Sequence, residues 1–73
     1  MKYLKLKISD FYVKIIDADN NLHFRFNDAT DTFAIDFNGS PNVAYKDMEE
    51  CSREEFDENY KKVVEKLNKL SSK

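Results

Sequence analysis

Apolar and polar residues alternate along the first half of this chain, and that period of two is the feature that most constrains its fold. Successive side chains of a β-strand point to opposite faces of a sheet, so alternation predicts strands with one apolar and one polar face. Four such runs occur, and their apolar members are Leu4, Leu6 and Ile8, then Phe11, Val13 and Ile15, then Leu22, Phe24 and Phe26, then Phe33, Ile35 and Phe37. The sequence therefore predicts an antiparallel sheet with one apolar face.

The apolar positions change from even to odd numbers between the first two runs. A straight strand cannot make that change without turning its apolar side chains to the other face. A two-residue hairpin loop at Ser9 and Asp10 makes it by pairing Ile8 with Phe11 on one face, and a β-bulge is the alternative. After the fourth run, the turn-forming residues 38–42 include the only Gly and the only Pro of the chain. The predicted strands are residues 2–8, 11–17, 22–27, 32–37 and a short fifth strand at 43–46.

The last third of the chain has the period of an amphipathic helix. Ser52 and Glu55 have the spacing of a capping box, and Cys51 and Phe56 have that of a hydrophobic staple. Apolar residues then recur every three or four positions and form one stripe, which consists of Phe56, Tyr60, Val63, Val64, Leu67 and Leu70. These signals predict a helix over residues 53–70.

The elements together predict an α+β fold, in which an antiparallel β-meander of four to five strands precedes one C-terminal amphipathic helix packed on one sheet face. Residues 1–73 form a single domain, since a chain this short builds one core. A helix about 10 Å wide covers only part of four or five strands spaced about 4.8 Å apart. We therefore expect some of the apolar face to stay exposed and to favour a homodimer, with Phe11, Phe24, Phe33 and Phe37 as candidates.

Composition narrows the class of protein. The 12 basic and 14 acidic residues nearly balance, and the single Cys excludes an internal disulfide. Lysines at positions 2, 5 and 7 interrupt the N-terminal segment, so it resembles neither a signal peptide nor a membrane span. The sequence therefore predicts a cytoplasmic protein that does not associate with membranes.

One short segment invites a metal-binding interpretation. Asp17, Asp19 and Asn21 have the spacing that opens an EF-hand calcium loop, but the sixth position is Leu22 where that loop requires Gly. Asp and Asn are also favoured in turns, so the segment is predicted to be a turn between two strands. A weaker cation site is the alternative at one end of the sheet, where three carboxylates meet: Asp10, Asp28 and Asp31.

Few residues offer catalytic chemistry. Cys51 precedes a helix N-terminus, where a thiol can become nucleophilic, but several glutamates surround it, so a packing role is preferred. His23 is the only histidine and is expected to be a solvated strand residue. The sequence has no phosphate-binding glycine loop and no metal-type Cys/His spacing. It therefore predicts no enzyme, no catalytic residue, no metal site and no cofactor.

The polar face of the sheet is the predicted binding surface. If each hairpin has the loop length that its turn residues favour, Lys5 lies opposite Lys14, Lys14 opposite Arg25, and Arg25 opposite Ala34. Like charges directly opposite each other destabilise a sheet, so such a row suggests a use, although a solvated face is the simpler alternative. Tyrosines in neighbouring rows add aromatic rings. The predicted binding residues are Tyr3, Lys5, Tyr12, Lys14, Arg25 and Lys46.

The most concrete function that these features suggest is a non-enzymatic protein-binding module. Its expected partners are a second copy and another protein with an acidic patch. By analogy of size and composition it resembles phage or mobile-element inhibitors of a host protein, an analogy that involves no motif. The alternative is nucleic-acid or nucleotide binding, because bases mixed with aromatic rings on an open sheet hold single strands. The net charge of −2 counts against that alternative.

Overall fold

The computed structural model describes residues 1–7, 10–39 and 45–72. Its elements, in chain order, are β1 (Lys2–Lys5), β2 (Phe11–Ile15), β3 (Asn21–Asn27), β4 (Thr32–Phe37), a 3₁₀ turn (Tyr45–Asp47), β5 (Glu49–Glu50) and α1 (Arg53–Ser71). The strands form one antiparallel sheet in the order β4-β3-β2-β1-β5, and α1 packs on one of its faces. The predicted α+β class, with an antiparallel sheet and one C-terminal helix, is therefore confirmed.

The fifth strand lies at a different place from the one predicted. Of the predicted strand 43–46, residues 43 and 44 fall outside the described residues, and Tyr45 and Lys46 belong to the 3₁₀ turn. The strand that completes the sheet is Glu49–Glu50, and it pairs with β1. The meander thus ends at β4, and the chain then passes to the opposite edge of the sheet before α1 begins.

The first hairpin keeps the predicted faces but has a longer connection. Leu4 pairs with Val13, and the Leu6 amide donates to the Phe11 carbonyl at 3.1 Å. Four positions, 7–10, therefore separate the paired residues, where the sequence predicted a two-residue loop. The predicted partner of Phe11, Ile8, falls outside the described residues. Because both loop lengths are even, Leu4 and Val13 still share one face of the sheet, as predicted.

The second hairpin reverses the predicted faces. Tyr12 pairs with Phe24, whereas a four-residue loop would have placed Lys14 opposite Arg25. The turn is shorter, because the Ile16 amide already donates to the Asn20 carbonyl at 3.0 Å. Three residues, an odd number, then lie between the paired positions, so even-numbered residues of β2 face even-numbered residues of β3. Compared with the predicted four-residue loop, this three-residue turn places every side chain of β1 and β2 on the opposite face of the sheet relative to β3.

Apolar side chains consequently pack on both faces of the sheet, and the expectation of a single apolar face is wrong. On the face covered by α1, the buried residues are Tyr12, Phe24, Phe26, Phe56 and Val63. On the opposite face, the buried residues are Leu4, Val13 and Met48. Leu4 of β1 and Val13 of β2 belong to this second cluster, with Phe11 and Ile15 packed against it, and Tyr3 and Tyr12 turn toward the helix.

The helix begins where its sequence signals predict. The Glu55 amide donates to the Ser52 hydroxyl at 3.0 Å, so Ser52 is the N-cap. The Glu55 carboxylate contacts Lys5 of β1 at 2.7 Å. At the other end, Lys66 lies 3.2 Å from Asp28 and 3.3 Å from Asp31, in the loop between β3 and β4. The helix thus runs from the β1 side of the sheet to the β3–β4 hairpin.

Candidate binding edge

The predicted row of cations does not form. Lys5 pairs with Tyr12, and Lys14 pairs with Leu22, so both lysines lie on the face that α1 covers. Arg25 lies on the opposite face, and Lys46 lies in the 3₁₀ turn. The three-residue turn between β2 and β3 is what separates Lys5 and Lys14 from Arg25. Of the pairings predicted within that row, only the pairing of Arg25 with Ala34 is found.

The two tyrosines of the predicted surface are parts of the helix-side core. Tyr12 is only 7% exposed, and its ring stacks on Phe24 at 5.1 Å between centroids. Burial raises the pKa of Tyr12. Tyr3 is half-buried, and its ring lies 5.3 Å from that of Phe56. Neither ring is available as an open stacking platform for a base.

The lysines on that face have partners within the chain. Lys5 contacts Glu55 at 2.7 Å and Glu49 at 3.7 Å, and the hydrogen bond to Glu55 raises the pKa of Lys5. The ammonium of Lys14 lies 5.8 Å from the centre of the Tyr3 ring, which is within the range of a cation–π contact. The binding role predicted for these residues stays a prediction, but their geometry indicates structural contacts.

The calcium-like segment is a turn, as predicted. The Asp17 carboxylate accepts the Asp19 amide at 2.9 Å and the Asn20 side-chain amide at 2.9 and 3.0 Å. The hydrogen bond from Asn20 lowers the pKa of Asp17. Of the carboxylates in the alternative cation site, Asp28 and Asp31 instead contact the ammonium of Lys66, and the hydrogen bond to Asp28 raises the pKa of that lysine.

Cys51 and His23 lie on opposite faces of the sheet. Cys51 packs against the helix-side cluster, and burial raises the pKa of its thiol, as does the Glu55 carboxylate. A raised pKa disfavours the nucleophilic thiolate. His23 pairs across the strands with Val13, on the face away from α1. The two side chains therefore cannot form a Cys–His pair, and the packing role predicted for Cys51 agrees with its position.

His23 is not the solvated residue that was expected. Its side chain is 13% exposed, and its ring stacks on Phe11 with centroids 5.5 Å apart. Its Nε2 lies 3.4 Å from a carboxylate oxygen of Asp36 on the neighbouring strand. Gly39 approaches this pair so closely that a Cβ at that position would collide with the imidazole. A side chain at position 39 would therefore require the imidazole and the Asp36 carboxylate to move.

The outer side of β4 is the most distinctive surface of the described residues. β4 ends the strand order, and no described strand pairs with its outer side. The Asn38 amide donates to the Asn21 carbonyl of β3 at 2.8 Å. Because hydrogen-bonding direction alternates along an antiparallel strand, Ala34 and Asp36 also bond toward β3. The backbone N–H and C=O groups of residues 33, 35 and 37 are consequently directed away from the sheet.

Apolar side chains accompany these outward backbone groups. Phe33, Ile35 and Phe37 lie on the helix side of the sheet, opposite Phe26, Phe24 and Leu22 of β3, respectively. Phe33 and Ile35 are half-buried, and Phe37 is 59% exposed. Of the other phenylalanines that were candidates for exposure, Phe24 is buried and Phe11 is half-buried. The exposed apolar surface expected from the narrow helix is therefore found at the end of the edge strand.

Sequence reasoning missed this edge because it placed the fifth strand beside β4. One signal was present. Edge strands of natural proteins usually have charged residues, prolines or bulges that prevent pairing with another chain, and residues 32–37 have only one such feature, the side chain of Asp36. The register of β4 with β3 is continuous from Thr32 to Phe37.

The chain matches no protein-family model, and comparisons with curated proteins and with solved structures found no similar protein. In the described part of the chain, no helix has the length and apolar character needed to cross a membrane.

Proposed function

We propose that this chain is a non-enzymatic protein-binding module that pairs the outer edge of β4 with an extended strand of another polypeptide. The observation that carries the proposal is the six-residue strand Thr32–Phe37 at the end of the sheet, with outward backbone groups at alternate residues. Main-chain hydrogen bonds supply affinity in this mode of recognition, and the alternate side chains supply specificity.

The side chains of β4 favour an apolar partner strand. Residues 32–37 include one charged residue, Asp36, whose side chain is on the face away from α1. On the helix side, the exposed ring of Phe37 and the half-buried Phe33 and Ile35 form an apolar margin. An added strand would cover that margin while it satisfies the outward N–H and C=O groups.

This proposal replaces the acidic partner and the nucleic-acid alternative that the sequence suggested, since both depended on the row of cations. Inhibition of a host protein would be one use of such an edge. The separation of Cys51 and His23 by the sheet supports a function without catalysis.

The test compares two lysine substitutions in affinity capture from the native host. Phe37→Lys introduces a charge at the edge, and Leu70→Lys changes a side chain that is also 59% exposed but lies in the last turns of α1. We expect host proteins that bind the wild type and Leu70→Lys to be lost from Phe37→Lys. Equal capture by Phe37→Lys would show that β4 is not the binding surface. Capture of no protein by the wild type, together with no self-association, would refute a binding module.

A further inference from the structure

The geometry points to a second copy of this chain as a partner of the β4 edge, paired antiparallel about a two-fold axis at Ile35. This inference rests on the proposed function, because it names the partner of the same edge. It follows from the backbone pattern, from the apolar side chains and from the charges of the strand.

The backbone pattern limits the register. In an antiparallel pair, two residues that face each other are either both hydrogen-bonded to one another or both not. The outward residues 33, 35 and 37 can therefore face only outward residues of the second copy. A two-fold axis at Ile35 places Phe33 opposite the partner's Phe37 and Ile35 opposite the partner's Ile35, which uses all three outward positions.

The neighbouring registers are less favourable. An axis at Asp36 places the two Asp36 carboxylates directly opposite each other, and like charges in that position are destabilising. An axis at Ala34 places the exposed Phe37 opposite the partner's Asp31, beyond the start of that strand. The register at Ile35 avoids both arrangements.

On the helix side, this register makes an apolar row that crosses the interface. Within each chain, Phe26 lies opposite Phe33 and Leu22 lies opposite Phe37. In the dimer, Phe33 lies opposite the partner's Phe37, so these cross-strand pairs join into one row of four apolar side chains. Aromatic pairs in such positions contribute to sheet stability. The ring of Phe37, which is 59% exposed in the single chain, would gain a neighbour on its open side.

On the opposite side, the register brings opposite charges together. Ala34 faces the partner's Asp36, and Arg25 is the cross-strand neighbour of Ala34. The backbones of Arg25 and the partner's Asp36 are then two strand spacings apart, about 10 Å. The small side chain of Ala34 leaves space for the guanidinium to reach the carboxylate. Arg25 is exposed and has no carboxylate within 4.0 Å among the described residues, and Asp36 is 61% exposed.

Two-fold symmetry gives this contact twice, which permits a charge-exchange test with Arg25→Asp and Asp36→Arg. Each variant alone would place two like-charged pairs in its homodimer. We expect the dissociation constant of each homodimer to be up to about tenfold higher than that of the mixed dimer, given the energies of exposed pairs. An equimolar mixture would place opposite charges at both contacts and restore the dimer.

Sedimentation of the wild type from micromolar to millimolar concentration, with far-ultraviolet circular dichroism to verify folding, provides the reference. The chain has a mass of 8.6 kDa, so the dimer is resolved readily. We expect association in the wild type and Leu70→Lys, its loss in Phe37→Lys, and recovery in the charge-exchange mixture. Amide exchange should slow with concentration at Phe33, Ile35 and Phe37, and not at Ala34 or Asp36.

A monomer throughout the concentration range would overturn this inference, as would a dimer that Phe37→Lys leaves intact or a mixture that does not associate. If host proteins still depend on Phe37 in affinity capture, the proposed function stands and only the self-pairing is refuted. If both experiments are negative, the proposed function is refuted as well.

Discussion

The ammonium group of Lys5 lies 2.7 Å from a carboxylate oxygen of Glu55, which connects the first strand to the first turn of the helix. Glu49 of β5 contacts the same ammonium at 3.7 Å. One lysine thus joins three elements at the β1–β5 side of the sheet. The N-terminus of α1 is thereby held at the side opposite to β4.

Glu55→Gln should lower the melting temperature more than Glu54→Gln, a neighbouring change at an exposed helix position. The hydrogen bond to Glu55 raises the pKa of Lys5 above its ordinary value of 10.5. Its stabilising contribution is therefore complete below pH 10.5 and is lost as the pH rises through the higher pKa of the folded state. Thermal melts at neutral pH and above that pKa measure the difference, which should also shrink with added salt. Equal melts for the two variants would contradict it.

Ser52→Ala should decrease the free energy of unfolding by about 1 kcal/mol, because it removes the acceptor for the Glu55 amide. For a domain of this size the melting temperature should fall by about 4–8 °C. Ser71→Ala, at the last residue of the helix, is the matched control and should have little effect. A melting temperature unchanged by Ser52→Ala would argue against this cap.

Tyr12→Ala should decrease the free energy of unfolding by about 3–5 kcal/mol, the range for deleting a buried ring. That loss approaches the whole stability of a small domain, so Tyr12→Leu provides a milder variant. Lys46→Ala is the control, because the sequence placed both residues on one exposed face while the structure exposes only Lys46. Denaturant unfolding measures all three. Similar stabilities for the Tyr12 and Lys46 variants would favour the original register.

Gly39→Ala should decrease the free energy of unfolding by about 1–3 kcal/mol, because the new methyl group overpacks the site. Its Cβ would collide with His23 and lie 2.5 Å from an Asp36 oxygen. The same change in a His23→Ala background should cost less, since the imidazole that it meets is gone. Denaturant unfolding of the four chains tests this, and additive effects would show that the two residues do not contact each other.

The Cys51 thiol should react with iodoacetamide at pH 8 more slowly than an unstructured cysteine peptide. Burial and the Glu55 carboxylate raise its pKa, so less thiolate is present at that pH. Unfolding in urea should increase the rate to that of the peptide. Mass spectrometry of timed samples provides both rates, and a folded protein that reacts faster than the peptide would indicate an activated thiol.

Local signals in the sequence predicted the helix and the locations of the first four strands, although β1 ends at Lys5 and β2 at Ile15, both earlier than predicted. The cap at Ser52 and the apolar stripe that follows it require only residues close together in the chain, so their geometry follows from local spacing. The tight pairing of Phe26 with Phe33 was also predictable, because a loop of four turn-forming residues separates their strands.

The faces of β1 and β2 were not predictable in the same way. The turn after β2 can contain three or four residues, and both lengths suit a segment rich in Asp and Asn. The length decides whether even-numbered residues of β2 face even-numbered or odd-numbered residues of β3, and therefore which side chains share a face of the sheet. In β1 and β2, one set of alternate positions is apolar and the other set includes a tyrosine, so either face of these strands can be buried. Tyr12 and Val13 are in fact both buried, at 7% and 0% exposure.

The candidate site was missed for a related reason. The partner of a short strand such as Glu49–Glu50 depends on which edge of the sheet the chain reaches after β4. The alternation of apolar and polar residues sets the faces of a strand but does not say which edge it joins. Once β5 is placed beside β1, β4 becomes an edge, and the interpretation of its exposed phenylalanine changes with it.

The pairing of β5 with β1 also has a consequence for synthesis of the chain. Leu4 has two strand partners, Val13 on one side and Glu50 on the other. Val13 is synthesised soon after Leu4, whereas Glu50 is synthesised much later. On the ribosome the hairpins from β1 to β4 can therefore assemble in order of emergence while β1 still waits for its second neighbour. A nascent chain that ends before residue 49 would leave the outer side of β1 unpaired, and emergence of β5 would replace that edge with a strand of only two residues.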